Sequence, residues 1–208
     1  MRSLLDHIHD LRELALRFDT AILSYIVHHR SDRIATAMSA VSMLGSAGFL
    51  AGVVLLAGLY LRRRSGSWVP LLVLAAAGLG AAVFAGTMKD ILSRSRPPAA
   101  WMTARASGSA FPSDHATRAT AVYGALGCLV AGTRESRLPR LSIWTAAVFA
   151  SLMIGVSRVY VGVHWPTDVI GGWTLAVAWL VILLGVYRHQ IAVDDGARDQ
   201  KGPASTKN

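Results

Sequence analysis

WVPLLVLAAAGLGAAVFAGTM, residues 68 to 88, is a run of 21 residues without a charged side chain. As a helix rising about 1.5 Å per residue it covers about 30 Å, the thickness of a bilayer's hydrocarbon core. The signal recurs on both sides: Ile34 to Leu61 gives 28 uncharged residues and Val169 to Tyr187 gives 19. Leu141 to Ser157, with 17, and Ala119 to Thr133, with 15, fall short of a full span. Each gains a turn if Arg118 and Arg158 face a bundle interior or reach the interface with their long side chains. The expected fold is all-α, an integral membrane helical bundle of about five transmembrane helices. Gly45, Gly48, Gly52, Gly58, Gly78, Gly80, Gly124 and Gly127 would let those helices approach closely in lipid. The alternative, a soluble all-helical core, would carry polar stripes that these runs lack. Of the 208 residues 53% are apolar and 16% charged, and Cys128 is the single cysteine, which excludes a disordered chain and a disulfide-stapled secreted fold.

Residues 1–33 read differently, with five basic and five acidic side chains and no apolar run of membrane length. No signal peptide is expected. Leu4, Ile8, Leu11, Ala15, Phe18 and Ile22 recur at steps of four and three, which predicts an amphipathic helix lying in the interface, apolar side down. Residues 34–188 are expected to form one transmembrane domain, and residues 189–208 a polar tail expected to be disordered.

With five spans, the connections at 62–67 and 133–140 share one face with the C-terminus, and those at 89–118 and 158–168 share the other with the N-terminal segment. Arg62, Arg63, Arg64, Arg134, Arg137 and Arg140 mark the first face as cytoplasmic. Lys and Arg total ten there and eleven opposite, so this orientation depends on the second set being functional. Trp68, Trp101, Trp144 and Trp165 lie near span ends, as interfacial anchors do.

Three polar clusters converge on the second face: Lys89 to Pro97, Phe111 to His115, and Ser157 to Asp168. They supply the cations Lys89, Arg96 and Arg158, the imidazoles His115 and His164, the Ser113 hydroxyl and the Asp168 carboxylate. A transferring phosphoryl group spreads charge over three oxygens, which guanidinium forks and a lysine can neutralise without a metal. Ser113 stands at an N-cap, where the backbone N–H groups of the next turn attract an anion. Pro166 starts a helix that sets Asp168 four residues after His164, so the carboxylate can fix the tautomer of that ring and leave it as nucleophile. His115, in the first turn of another helix, can protonate the leaving oxygen from the opposite side. Asp168 and a held phosphate should favour the charged imidazole, so activity is expected to fall in acid as His164 loses its lone pair and in base as His115 loses its proton.

At these positions the sequence resembles the type 2 phosphatidic acid phosphatase, or PAP2, superfamily, and specifically its bacterial membrane members. The family pattern is Lys-x6-Arg-Pro, Pro-Ser-Gly-His and Ser-Arg-x5-His-x3-Asp. Lys89, Arg96 and Pro97 match the first, and Ser157, Arg158, His164 and Asp168 the third, while Asp114 stands where the second usually has Gly. The resemblance, over about residues 19 to 187, implies a phosphohistidine on His164, acid–base work by His115, orientation by Asp168, and phosphate held by Lys89, Arg96, Ser113 and Arg158. It implies no cofactor and no metal, and a site on the extracytoplasmic face of a bacterial inner membrane. Asp114 is a possible accessory residue that bears on substrate range. Many members have six spans, whereas five are expected here, with no span before Asp19.

The substrate class is a lipid phosphate or diphosphate, with phosphatidate, phosphatidylglycerol phosphate and undecaprenyl diphosphate as candidates, and the surrounding membrane lipids as partners. A phosphotransferase passing the group to a lipid or sugar, and a channel with these residues lining its pore, remain alternatives. A nucleic-acid role is rejected because the spans leave no basic solvent surface. Taken singly, Lys89 and Arg96 could be flanking charges and the His164 and Asp168 pair a structural hydrogen bond. Zinc is disfavoured because the clusters hold two imidazoles and no thiolate. His7, His9, His28, His29 and His189 read as solvated, Cys128 as packing, and Arg94, Arg105 and Arg118 as either substrate guides or solvated charge.

Overall fold

The structure, a computed structural model, describes the backbone of residues 4–132 and 136–200, and the side chains among them except those of 4, 5, 8 and 191–200. The described residues form α1 (Leu4–His29), α2 (Asp32–Met43), α3 (Ala47–Ser65), α4 (Val69–Leu92), a 3₁₀ turn (Ala99–Trp101), α5 (Asp114–Gly132), α6 (Arg137–Tyr160) and α7 (Pro166–Gln200). Among them there is no strand. Three helices, α4, α6 and α7, are long and apolar enough to cross a membrane, and a fourth candidate is the bent pair α2 and α3. Their large apolar side chains point outward. Leu72, Leu79, Val83, Val148, Phe149, Val181 and Ile182 are all more than half exposed, which suits hydrocarbon rather than water.

α5 is not among those candidates, and its position explains why. It packs against α4, α6, α7 and α3, and buries Ala116, Thr117, Ala119, Ala121, Val122 and Ala125. A helix enclosed by other helices needs small side chains rather than an apolar exterior. Leu74, Ala77 and Ala81 of α4 meet Ala121 and Ala125 of α5 and Ala176 of α7 in the central contact. With α5 counted, the chain passes through the bundle five times, by α3, α4, α5, α6 and α7.

The 28-residue uncharged run is not one straight span. It breaks at residues 44–46, where α2 and α3 meet at a bend of 47°. Ser46 caps α3, its hydroxyl accepting from the Phe49 amide at 3.4 Å, and this stops α2 and restarts the helix in a new direction. α2 instead packs on α6. Of the glycines expected in close contacts, Gly78, Gly80 and Gly124 face Val122, Trp179 and Leu180, whereas Gly48 and Gly52 face open space.

α1 docks on the bundle by a face other than the apolar stripe expected to lie in the interface. Leu11 and Phe18 are exposed, while Asp19 and Leu23 are fully buried, and Ile26 and Val27 pack beside them against Val159 and Val169. α7 runs on to Gln200, into the segment read as tail, and residues 201–208 lie outside the described residues.

Candidate active site

Antiparallel passes place the end of α4, the start of α5, the end of α6 and the start of α7 at one end of the bundle. All seven predicted site residues meet there. Lys89, in the last turn of α4, donates to the carbonyls of Ser109 (2.9 Å) and Pro112 (2.8 Å). Arg96 donates to the carbonyls of Ser107, Gly108 and Ser109 and, at 2.8 Å, to Val163. Two cations thus hold the 107–112 loop as a floor between motifs. Burial depresses the Arg96 guanidinium, an effect that Asp168 and Asp114 oppose.

Ser113 occupies the N-cap position of α5: its carbonyl accepts from the Thr117 amide at 2.9 Å, and its own amide donates to the Asp168 carbonyl at 3.0 Å. That last bond ties the second motif directly to the third. The Ser113 hydroxyl is fully buried and has no partner, so it caps nothing and is free for an incoming oxygen. Asp114 does not point away. It lies 3.6 Å from both Lys89 and Arg118, so its charge is matched within the site. Arg118 thus has an ion-pair partner rather than being simply solvated, while Arg105 is exposed.

His164 follows the left-handed Gly162 and is 2% exposed. Its Nδ1 faces Asp168 Oδ2 at 3.4 Å, within ion-pair reach but off hydrogen-bond geometry, and its Nε2 faces Arg96 Nη1 at 3.3 Å. An Arg N–H on Nε2 requires a lone pair there, so the proton resides on Nδ1, beside the carboxylate. Burial pushes the imidazole down to about 4; Asp168 pulls it up, and Arg96 and Arg158 push it down. Removing the ring from water thus outweighs the pull of one off-line carboxylate.

His115 is half-buried and close enough to Arg158, His164, Arg118 and Arg96 to feel their charges. It opens with Arg158 onto a cavity of about 200 Å³ that is also lined by Ser39, Ser42 and Ser46 of the α2–α3 break. Arg158 is 8% exposed; it donates to the Ser42 hydroxyl, and its Nε has no partner. A buried guanidinium with an unsatisfied donor beside an imidazole is suited to receive an oxyanion.

Two residues at the site, Asp19 and Ser42, were not singled out by sequence, and a third, Arg94, has a different role from the one expected. Asp19 is fully buried and accepts from Arg94 Nη2 (2.5 Å), the Thr167 amide (2.9 Å) and the Thr167 hydroxyl (2.5 Å). Arg94, read as a substrate guide or solvated charge, is neither: its Nη1 donates to Asp168 Oδ1 at 2.5 Å, so it bridges two buried carboxylates. Ser42 had no sequence signal beyond its place in a polar-dotted helix. Among the described residues, no three His, Cys, Asp or Glu side chains form a group able to hold a metal ion.

The PAP2 superfamily model matches residues 66–191. The chain is 30% identical over 174 residues to phosphatidylglycerophosphatase B of Bacillus subtilis, covering 80% of this chain and 82% of that protein. It is 46% identical over 41 residues, 20% of its length and 19% of the relative's, to undecaprenyl-diphosphatase of Sulfolobus acidocaldarius. Its fold is similar to the crystal structure of the transmembrane PAP2 type phosphatidylglycerolphosphate phosphatase from Bacillus subtilis, with a TM-score of 0.75 and 26% identity over 82% of this chain and 85% of that one. It also resembles LpxE of Aquifex aeolicus in fold, with a TM-score of 0.66 and 20% identity over 80% and 94% of the two chains.

Proposed function

The chain belongs to the PAP2 superfamily of membrane phosphatases, and from that premise we propose that it removes phosphate from a lipid phosphate through a phosphohistidine on His164. The observation that carries this reading is the two-sided environment of that ring, with Nδ1 toward Asp168 and Nε2 toward Arg96.

In the first step the phosphate displaces the Arg96 contact from Nε2, and its oxygens are held by Arg96, Lys89, Arg158 and the Ser113 hydroxyl. Nε2 attacks phosphorus, the bond to the lipid oxygen breaks in line, and that oxygen takes a proton from His115. The N-phosphorylated ring is cationic, and Asp168 stabilises it. In the second step His115 takes a proton from water, whose oxygen attacks phosphorus. Inorganic phosphate leaves and both histidines return to their starting states.

An apolar groove of about 390 Å³ between α3, α4 and α5, with Arg118 among its lining residues, supports a substrate with an acyl or prenyl tail. The likeness to a phosphatidylglycerophosphatase over 80% of this chain and 82% of that protein favours phosphatidylglycerol phosphate as that substrate. Undecaprenyl diphosphate is the second reading, supported by the shorter match. Arg62, Arg63 and Arg64 end α3 away from the site, which by the positive-inside rule supports a site on the extracytoplasmic face.

The test is phosphate release in detergent, with chelator present, from phosphatidylglycerol phosphate, phosphatidate, undecaprenyl diphosphate and a soluble sugar phosphate, for the wild type and His164→Ala. Release from the lipids by the wild type alone is expected. Equal release by the two proteins would remove His164 as nucleophile, loss on chelation would remove the metal-free reaction, and equal turnover of the sugar phosphate would remove the lipid.

A further inference from the structure

A carboxylate is costly to bury, by several kcal/mol even with a partner, yet the site holds two with no exposed surface, Asp19 and Asp168, on either side of one guanidinium. The three side chains carry two negative charges and one positive. The charge left over faces the His164 ring, 3.4 Å from Asp168 Oδ2, with the Arg96 and Lys89 cations also within its field. Oδ1 of Asp168 is occupied by Arg94, and Oδ2 also accepts from the Trp165 amide at 2.9 Å, so the carboxylate cannot turn away. Asp19 is fixed as firmly, by Thr167 through both amide and hydroxyl. Were Asp19 absent, Arg94 would pair with Asp168 alone and cancel the charge that faces the imidazole.

We propose that Asp19, on the N-terminal helix, is a positioning residue for phosphoryl transfer: by neutralising Arg94 it preserves the full negative charge of Asp168 for the cationic, phosphorylated His164. α1 is then a part of the active site rather than a lead-in to it. This inference rests on His164 being the nucleophile.

Asp19→Asn keeps the size of the side chain and removes its charge. Loss of an outer-shell partner of this kind typically costs 10- to 100-fold, and here the loss is expected in kcat, with KM changed by less than about threefold because no phosphate-binding group is touched. The acid limb of kcat/KM moves to lower pH, since the charged ring loses support. The other charged groups around the ring, Asp168 from α7, Arg158 from α6, Arg96 from the 93–98 segment, His115 and Asp114 from α5 and Lys89 from α4, are the same in every variant.

The deciding variant is Asp19→Asn combined with Arg94→Gln. It restores the net charge at Asp168 while deleting both ion pairs, so it should recover about tenfold in kcat over Asp19→Asn and return the acid limb toward that of the wild type. Asp19→Glu, which keeps the charge, should leave the limb unmoved and keeps the comparison readable if Asp19→Asn folds poorly. A purely structural tether predicts the reverse order, with the double variant less active and lower melting than the single. That order, or wild-type kcat and pH profile in Asp19→Asn, would overturn the inference. Residual turnover in His164→Ala would instead overturn the nucleophile reading, and the two failures are separable.

Discussion

Gly172 is where the second and third motifs are pressed together. A methyl group there would lie 2.9 Å from Thr117 Oγ1, 3.0 Å from the Ser113 carbonyl oxygen and 3.2 Å from Ala116 Cβ. Ordinary contact begins near 3.4 Å, so Gly172→Ala requires α7 and α5 to separate by about half an ångström. Neither partner yields easily: the Thr117 hydroxyl is fully buried and already donates to the Ser113 carbonyl at 2.8 Å, and the carbonyl is backbone. The separation stretches the bond from the Ser113 amide to the Asp168 carbonyl and moves His164 and Asp168 away from Ser113 and His115. A misplacement of 1 Å can cost about a hundredfold in rate, so half that displacement should cost roughly tenfold in kcat, with roughly 1–3 kcal/mol of overpacking strain. The assay is steady-state phosphate release in detergent beside a thermal melt. Gly86→Ala is the control, because the same methyl on α4 meets nothing within 4 Å and adds helix propensity. Wild-type kcat and melting in Gly172→Ala, or an equal loss in Gly86→Ala, would refute this account of how the motifs are joined.

Three other outcomes follow from the geometry. Because burial holds His164 near 4, the ring stays neutral, with its lone pair available, through mildly acid solution; the acid limb of kcat/KM should fall near 4, and a limb at 6–7 would contradict the burial argument. Ser42→Ala removes the hydroxyl that accepts from Arg158, whose Nε is already without a partner, and should raise KM several-fold and cost about 1–3 kcal/mol; an unchanged KM would show that Arg158 needs no orientation. Gly162→Ala puts a side chain at φ +77° and against the Trp101 carbonyl, two residues before His164, and should cost about 1–3 kcal/mol of backbone strain as well as activity, which a melt and a rate measurement would read together.

The all-helical membrane bundle and the gathering of the seven expected residues at one end of it were legible because charge-free length and motif spacing are one-dimensional signals. Lys89, Ser113 and His164 lie at the same end of the bundle because no pass separates motif one from motif two, and two passes, α5 and α6, separate motif two from motif three. The bend at residues 44–46 was not legible, since summed hydropathy does not register a Ser46 cap inside an apolar run. Asp19 and Arg94 were missed for a different reason. Periodicity assigns charged residues to water, and the apolar stripe of Leu11 and Phe18 points to the interface, so neither marks the second face of α1, with Asp19 and Leu23, that docks on the bundle. What places Asp19 inside is a pair of partners 75 and 148 residues away in sequence, Arg94 and Thr167, which a local pattern does not contain.

The stereochemical course at phosphorus tests most directly whether the phosphoryl group rests on the protein before reaching water. Turnover of a chiral, isotopically labelled phosphorothioate analogue of the lipid substrate should proceed with retention, because attack by His164 and then by water are two in-line displacements, each inverting. Inversion would mean a single direct attack by water, and the phosphohistidine would have to be abandoned.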